Sequence, residues 1–178
     1  MGSKKVTSAD NQQERLKTIG WIVGFTDGDG CFCISINKNH RLKLGWQVVP
    51  EFVITQGEKS LESLKLVKKF FKCGRIFINR RHDNHKEDLH RYCVRSIADL
   101  EEKIIPFFEK NQLKTYKRKS FETWSKAVKL MINKRLHLSM KGIRKLAEMS
   151  AEINQQKRPK FLESSETIRR SPAKRDKI

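Results

Sequence analysis

The sequence predicts an α+β protein built on an antiparallel sheet, and three observations carry that prediction. Two pairs of segments alternate apolar and polar residues with the period of a strand, Cys31–Asn37 with Trp46–Thr55 and Arg75–Arg80 with Arg91–Ser96. Between the pairs, Leu61, Leu64, Val67 and Phe71 recur at helical spacing. Ahead of both lies an apolar helical stretch in which Gly20, Gly24 and Gly28 return every fourth residue. Runs of strands and helices in this order give an α+β fold with one sheet face packed on helices.

The elements follow in order. Met1 to Gln13 is polar and carries no structural signal, so the first helix is expected to begin near Glu14, with Leu16, Ile19, Ile22 and Val23 on its apolar faces. The first strand places Phe32, Ile34 and Ile36 on one face and Cys31, Cys33, Ser35 and Asn37 on the other. A polar turn, Asn39 to Gly45, leads to the returning strand. There Phe52 and Ile54 face inward, Gln47, Val49, Glu51 and Val53 outward, and Pro50 marks a bulge or an edge. A helix from Glu58 to Lys72 ends before Gly74, as a glycine-capped helix does. In the second strand pair Ile76, Ile78, Tyr92 and Val94 point inward, while Arg75, Phe77, Asn79, Arg91, Cys93 and Arg95 make a basic outer face. The connecting loop holds His82, His85 and His90; without a cysteine or further paired ligands they read as a solvated loop tip, not a zinc site. Ala98 to Lys110 is a helix around Leu100, Ile104 and Phe107 that Pro106 bends or breaks. The basic run Leu113 to Lys119 enters a helix whose buried face is Phe121, Trp124, Val128 and Met131, and Ser139 caps a last helix packed through Ile143, Leu146 and Ala147. Beyond Gln155 the chain is polar and basic with little to bury, so residues 14–155 form the domain and 1–13 and 156–178 are flexible ends.

The stretch Ile19 to Gly30, IGWIVGFTDGDG, concentrates the chemistry. Each interior glycine costs about 1 kcal/mol of helix stability relative to alanine, a penalty tolerated where another backbone approaches along the bare stripe. The helix stops in Asp27-Gly28-Asp29-Gly30, which puts two carboxylates at a terminus already carrying partial negative charge. Acidic groups there call for a cation. An Asp-Gly pair alone is a common turn signal. A calcium loop of the EF-hand type is excluded because Cys31 and Lys38 stand where ligands are required, and the apolar run between Lys17 and Asp27 is too short to cross a membrane.

Composition narrows the partner. Among 178 residues, Lys and Arg number 39 against 20 Asp and Glu, for a net charge of +19. That balance points to nucleic acid. No signal peptide, lipidation motif or long apolar run argues for a membrane, so an intracellular protein is expected. Cys31, Cys33, Cys73 and Cys93 form no Cys-x-x-Cys pair and read as reduced thiols.

Residues Ile22 to Gly30, IVGFTDGDG, resemble the nine-residue motif of the LAGLIDADG homing endonucleases, keeping its spacing and its Gly24, Asp27, Asp29 and Gly30. The motif occurs once, and the resemblance extends from about Leu16 to Gln155. It implies an α-β-β-α-β-β-α core with a four-stranded antiparallel DNA-binding sheet and additional C-terminal helices. A single motif implies a homodimer through Gly20, Val23, Gly24 and Asp27 that makes a double-strand break at a long, near-palindromic double-stranded DNA target. By the same resemblance Asp29 and the Gly28 carbonyl hold roughly two or three Mg²⁺ ions per dimer, Mn²⁺ substitutes, and Ca²⁺ supports binding without cleavage. Gln56 matches a position that orients water, and Lys117 a basic position near the phosphate, with Lys119 as the alternative. The outward residues Cys33, Ser35, Asn37, Arg41, Gln47, Glu51, Arg75, Phe77, Asn79, Arg81, Arg91, Arg95 and Lys119 are the expected DNA contacts, since a β surface fits the major groove. The resemblance also admits an RNA maturase acting on its host intron RNA, or a DNA-binding protein without cleavage, and an organellar setting in chloroplast or mitochondrion.

Overall fold

A computed structural model describes residues 8–79 and 88–153. The expectations for Arg81, His82 and His85, for the first seven residues and for the tail beyond Gln155 lie outside these residues. Helix α1 runs Ser8–Asp29, starting earlier than Glu14 because the polar residues from Asp10 to Gln13 extend it as an exposed turn with an acidic residue at its start. Strands β1 (Gly30–Lys38) and β2 (Trp46–Gly57) follow, and then a 3₁₀ turn, Glu58–Ser60, into helix α2 (Leu61–Phe71). Strands β3 (Arg75–Asn79) and β4 (Leu89–Val94) come next. The remaining helices are α3 (Ile97–Asp99), a π turn (Leu100–Ile104), α4 (Ile105–Lys110), α5 (Lys117–Lys134), a 3₁₀ turn (Leu136–Leu138) and α6 (Met140–Ile153). The strands form one four-stranded antiparallel sheet in the order β1-β2-β4-β3.

The chain divides into two compact units, Met1–Cys31 with Phe52–Arg118, and Phe32–Glu51 with Lys119–Ile178. In the first, Phe52 is the hub of an aromatic cluster, meeting Phe108 at 5.4 Å, Phe71 at 6.1 Å and Tyr92 at 6.2 Å between ring centroids in edge-on geometries. Leu64, Val67 and Phe71 bury one face of α2, as their spacing predicts. The helix cap differs from expectation. Lys72, not Gly74, takes the left-handed conformation at φ 51°, its N–H bonding the Lys68 carbonyl, and Gly74 at φ 78° turns the chain into β3. Pro106 does not break its helix. The turn before it widens to the π form, with the Ile105 N–H reaching back to Leu100, so the proline falls in the first turn of α4, where its missing N–H is harmless. Ser96, predicted within β4, lies beyond its end at Val94, where its side chain accepts from the Asp99 N–H at 3.3 Å and caps α3.

Three positions in this unit depart from the predicted alternation. Ile78, expected inside, is 57% exposed, since it lies near the end of an edge strand. Val53 and Cys93, expected outside, are buried. They stand opposite one another in mid-sheet with Arg75 opposite Cys93 on the far side, and Arg75, Phe77 and Arg95 gather around Cys93. Long neighbours cover the short central residues. His90 is not in a loop, because β4 begins at Leu89; it is 5% exposed within the strand.

In the second unit Phe32 packs against Phe121 at 5.1 Å and Trp124 at 5.2 Å, and Ile34 and Ile36 complete the buried face of β1. Polar side chains from the helices tie this strand down: Trp124 Nε1 donates to the Cys33 carbonyl and the Ser150 hydroxyl to that of Ile34. Ser139 caps α6 by accepting from the Gly142 N–H at 3.0 Å. Gly142 admits no side chain, since a Cβ there would lie 2.0 Å from the Leu136 carbonyl oxygen. Glu51, predicted to face outward, is 4% exposed and accepts a hydrogen bond from the Cys33 thiol, so burial is offset by a partner. No cysteine forms a disulfide.

Candidate active site at the end of the first helix

A helix ends with carbonyls that have no partner in the next turn, and α1 adds two aspartates to that negative terminus. The residue that answers this charge comes from about ninety positions later in the chain. Lys117, the first residue of α5, turns its ammonium onto the end of α1 and donates to the carbonyls of Thr26 at 3.2 Å, Asp27 at 3.0 Å and Gly28. The segment before it is fastened by Asp27, whose carboxylate accepts from the Lys114 N–H at 2.7 Å, the Thr115 N–H at 3.2 Å and the Thr115 hydroxyl at 2.7 Å. Partial burial of Asp27 opposes its ionisation, but these hydrogen bonds and the Lys117 charge outweigh it, leaving its pKa below the ordinary carboxylate value. Asp27 was expected at a subunit interface; its carboxylate oxygens are engaged by its own chain. Sequence reasoning missed Lys114 and Thr115, although an acidic helix end was itself the signal that donors had to come from elsewhere.

Asp29 is exposed at the last position of α1. Gln56, near the end of β2, donates through Nε2 to Asp29 Oδ2 at 2.7 Å. The tight exit from helix to strand depends on Gly30, where a Cβ would fall 2.5 Å from Thr26 Cγ2 and 2.7 Å from the Thr26 carbonyl oxygen. A larger residue would push the backbone beside Asp29. The structure therefore brings Asp29, Gly28, Gln56 and Lys117 together, with exposed carboxylate and carbonyl oxygens of the hard type Mg²⁺ prefers. Among the described residues no group of three or more His, Cys, Asp or Glu could hold a metal as an all-protein cage. Such a site would draw its remaining ligands from phosphate and water. Lys119, two positions further along α5, is turned by about 200° around the helix axis and is exposed.

The glycine stripe of α1 is bare. Among the described residues a Cβ at Gly20, Gly24 or Gly28 would meet nothing within 4 Å, and Val23 is half-buried. One step round the helix, Trp21 and Phe25 stack at 4.9 Å, with Trp21 40% exposed.

The predicted DNA contacts divide. In the first unit Arg75, Phe77 and Arg95 are exposed, Arg95 lying 5.8 Å from the Phe77 ring, and Arg91 is half-buried. In the second, Asn37, Arg41, Gln47 and Lys119 are exposed and Cys33 and Ser35 half-buried; Gln47 accepts from the Asn39 side chain at 3.2 Å. Glu51 is withdrawn from the surface, Asn79 lies in β3, and Arg81 is outside the described residues.

Known proteins resemble this chain in sequence and in fold. Curated relatives include a probable intron-encoded endonuclease 2 of Neurospora crassa, 33% identical over 159 residues covering 89% of this chain and 33% of the relative. A second is the DNA endonuclease I-CeuI of Chlamydomonas moewusii, 32% identical over 106 residues, 60% of this chain and 47% of that protein. The chain thus spans about a quarter to a half of the length of the curated relatives it matches. Among solved structures, the homing endonuclease I-TnaI superposes with a TM-score of 0.72 at 33% identity over 84% of this chain and 97% of that one. I-SmaMI bound to uncleaved DNA in the presence of calcium ions gives 0.70 at 32% identity over 80% and 47%. A glycine-striped helix ending in Asp29, a four-stranded antiparallel sheet and a family model for LAGLIDADG endonucleases matching residues 22–128 coincide in one chain, which belongs to that family.

Proposed function

We propose that this chain is a site-specific DNA endonuclease of the intron-homing type, acting as a homodimer with Mg²⁺ at a long, near-palindromic duplex. The observation that carries the reading is the end of α1: an exposed Asp29 held by Gln56, the Gly28 carbonyl beside it, and Lys117 closing the helix terminus. The bare glycine stripe supports the dimer, because an uncompensated penalty of about 1 kcal/mol per glycine within one chain is relieved when a second backbone packs there. The exposed arginines and the net charge of +19 support a DNA partner. Relatives named as intron-encoded endonucleases support the homing role, while the organellar setting rests on the family resemblance.

When bound, Mg²⁺ would offset phosphate charge and acidify the attacking water, with Asp29 and the Gly28 carbonyl as its protein ligands. Gln56 orients the carboxylate and, through its amide, neighbouring solvent. Lys117 holds the helix end in place and stabilises negative charge that develops on the phosphate. The Gly28 carbonyl has two lone pairs, so accepting from Lys117 leaves it a second site.

The test is a selection on randomised duplexes with Mg²⁺, sequencing the cut ends. Cut sites of one near-palindromic sequence with breaks on both strands are expected. Duplex binding without cleavage would replace the enzyme by a binder, and rescue of intron splicing without cleavage would replace it by a maturase. Calcium should permit binding of the selected duplex without cutting, a behaviour compatible with the state in which I-SmaMI was crystallised.

A further inference from the structure

His90 breaks the pattern of its own strand. On the helix-facing side of the sheet β2 contributes Phe52 and Ile54 and β4 contributes Val94 and Tyr92, all buried. The next cross-strand pair on that side is Gln56 with His90. An imidazole thus occupies a position where an apolar residue would complete the core. His90 is 5% exposed, and its buried Nδ1 has no hydrogen-bond partner among the described residues. An unsatisfied buried polar atom is destabilising, and such atoms in a folded protein point to a use.

We propose that His90 is a positioning residue for Gln56, which rests on the endonuclease reading above. Directly opposed residues of an antiparallel pair share a face, with Cβ atoms about 5 Å apart. The rigid, buried ring therefore stands beside a side chain with three rotatable bonds whose amide reaches Asp29 Oδ2. The amide donates to Asp29 through Nε2, and a carboxylate has lone pairs enough for this donor and a cation together, so what the site needs is that the amide keep this end toward Asp29. His90 Nδ1 is the adjacent buried group with hydrogen-bonding capacity to hold the other end. A neutral imidazole can donate or accept at Nδ1 according to tautomer, and so can serve either end of the amide. His90 keeps the Gln56 amide turned toward Asp29.

The experiment uses the full chain with His90→Phe, His90→Asn, Gln56→Ala and the His90→Phe/Gln56→Ala double variant. His90→Phe fills the space without a polar atom, so it should melt no lower than wild type and bind the selected duplex unchanged in Ca²⁺. Its single-turnover cleavage should nonetheless fall about 10–100-fold, as for loss of an outer-shell partner. His90→Asn, whose amide falls near the Nδ1 position, should recover most of that rate. The double variant should cut no more slowly than Gln56→Ala alone. Cleavage by His90→Phe at the wild-type rate, or effects that multiply in the double variant, would overturn the proposal. A second readout needs neither activity nor correct packing of phenylalanine: the Gln56 side-chain amide resonances, identified by their loss in Gln56→Ala, should shift in His90→Asn and not in the exposed His40→Asn. Unshifted resonances also overturn it. If wild type cuts no duplex the endonuclease reading fails, while the amide resonances still decide whether His90 acts on Gln56.

Discussion

Replacing Lys117 by methionine tests the site through stability as well as rate. The ammonium donates to three carbonyls at the C-terminus of α1, and methionine retains the aliphatic bulk while removing every one of these bonds. A hydrogen bond to a charged group contributes roughly 1.5–3 kcal/mol, and a cation at a helix C-terminus a further 0.3–1 kcal/mol or so. Lys117 is only half-buried, so water recovers part of both, and the net loss should be about 1–2 kcal/mol. At ~2–4 °C per kcal/mol for a chain of this length, the melting temperature should fall by about 2–8 °C. Cleavage should fall further than stability accounts for, by ~10²–10³ in single-turnover rate, as for loss of one electrostatic contact to the transition state. Measuring cleavage well below the melting transition separates the two effects. Lys119→Met is the control and should change the melting temperature little, since its side chain is exposed. An unchanged melting temperature and wild-type cleavage for Lys117→Met would refute the role given to this lysine. Slow cleavage by Lys119→Met would move that role two residues along α5.

Other outcomes follow from the same geometry. Gly24→Leu should fold, because a Cβ there meets nothing within 4 Å among the described residues, yet sediment as a monomer; a wild-type monomer even with DNA present would reject the homodimer. DNA binding should weaken steeply with salt, at a log-log slope near −0.9 per phosphate neutralised, and replacing one base-reading arginine among Arg75, Arg91 and Arg95 should cost about 1–3 kcal/mol and relax preference at one position per half-site. No change on replacing all three would remove the sheet from recognition. Asp29→Asn should abolish cleavage while specific binding in Ca²⁺ survives; residual cutting at the wild-type rate would exclude the metal role of Asp29. Asp27 has its folded pKa below its unfolded value, so its contribution is complete above the ordinary carboxylate range and is lost as pH falls through the lower folded value. Melting curves from about pH 6 to pH 3 should therefore show a shallower acid decline in Asp27→Asn than in wild type, and parallel curves would show that the contacts to Lys114 and Thr115 do not stabilise the folded state.

Locally encoded features were legible in the chain. Phe32, Ile34 and Ile36 announce a half-buried strand because backbone pleating alternates side chains whatever the tertiary context. Leu64, Val67 and Phe71 announce a helix face for the corresponding reason. The glycine stripe and the acidic stop at Asp27 and Asp29 likewise imposed a demand, for a close backbone neighbour and for a cation, that could be stated without coordinates. What met the demand could not be read locally. Lys117 and Lys119 are equivalent in composition, and only packing of α5 turns the first toward the carbonyls of Thr26 to Gly28. The fastening of Asp27 to Lys114 and Thr115 joins positions 87 and 88 residues apart. The strand order β1-β2-β4-β3, the covering of Val53 and Cys93, and the pairing of Gln56 with His90 depend on which strands meet in register. Period and propensity act over a few bonds, whereas a site assembled from two helix ends and a strand is set by the free energy of the whole packed unit.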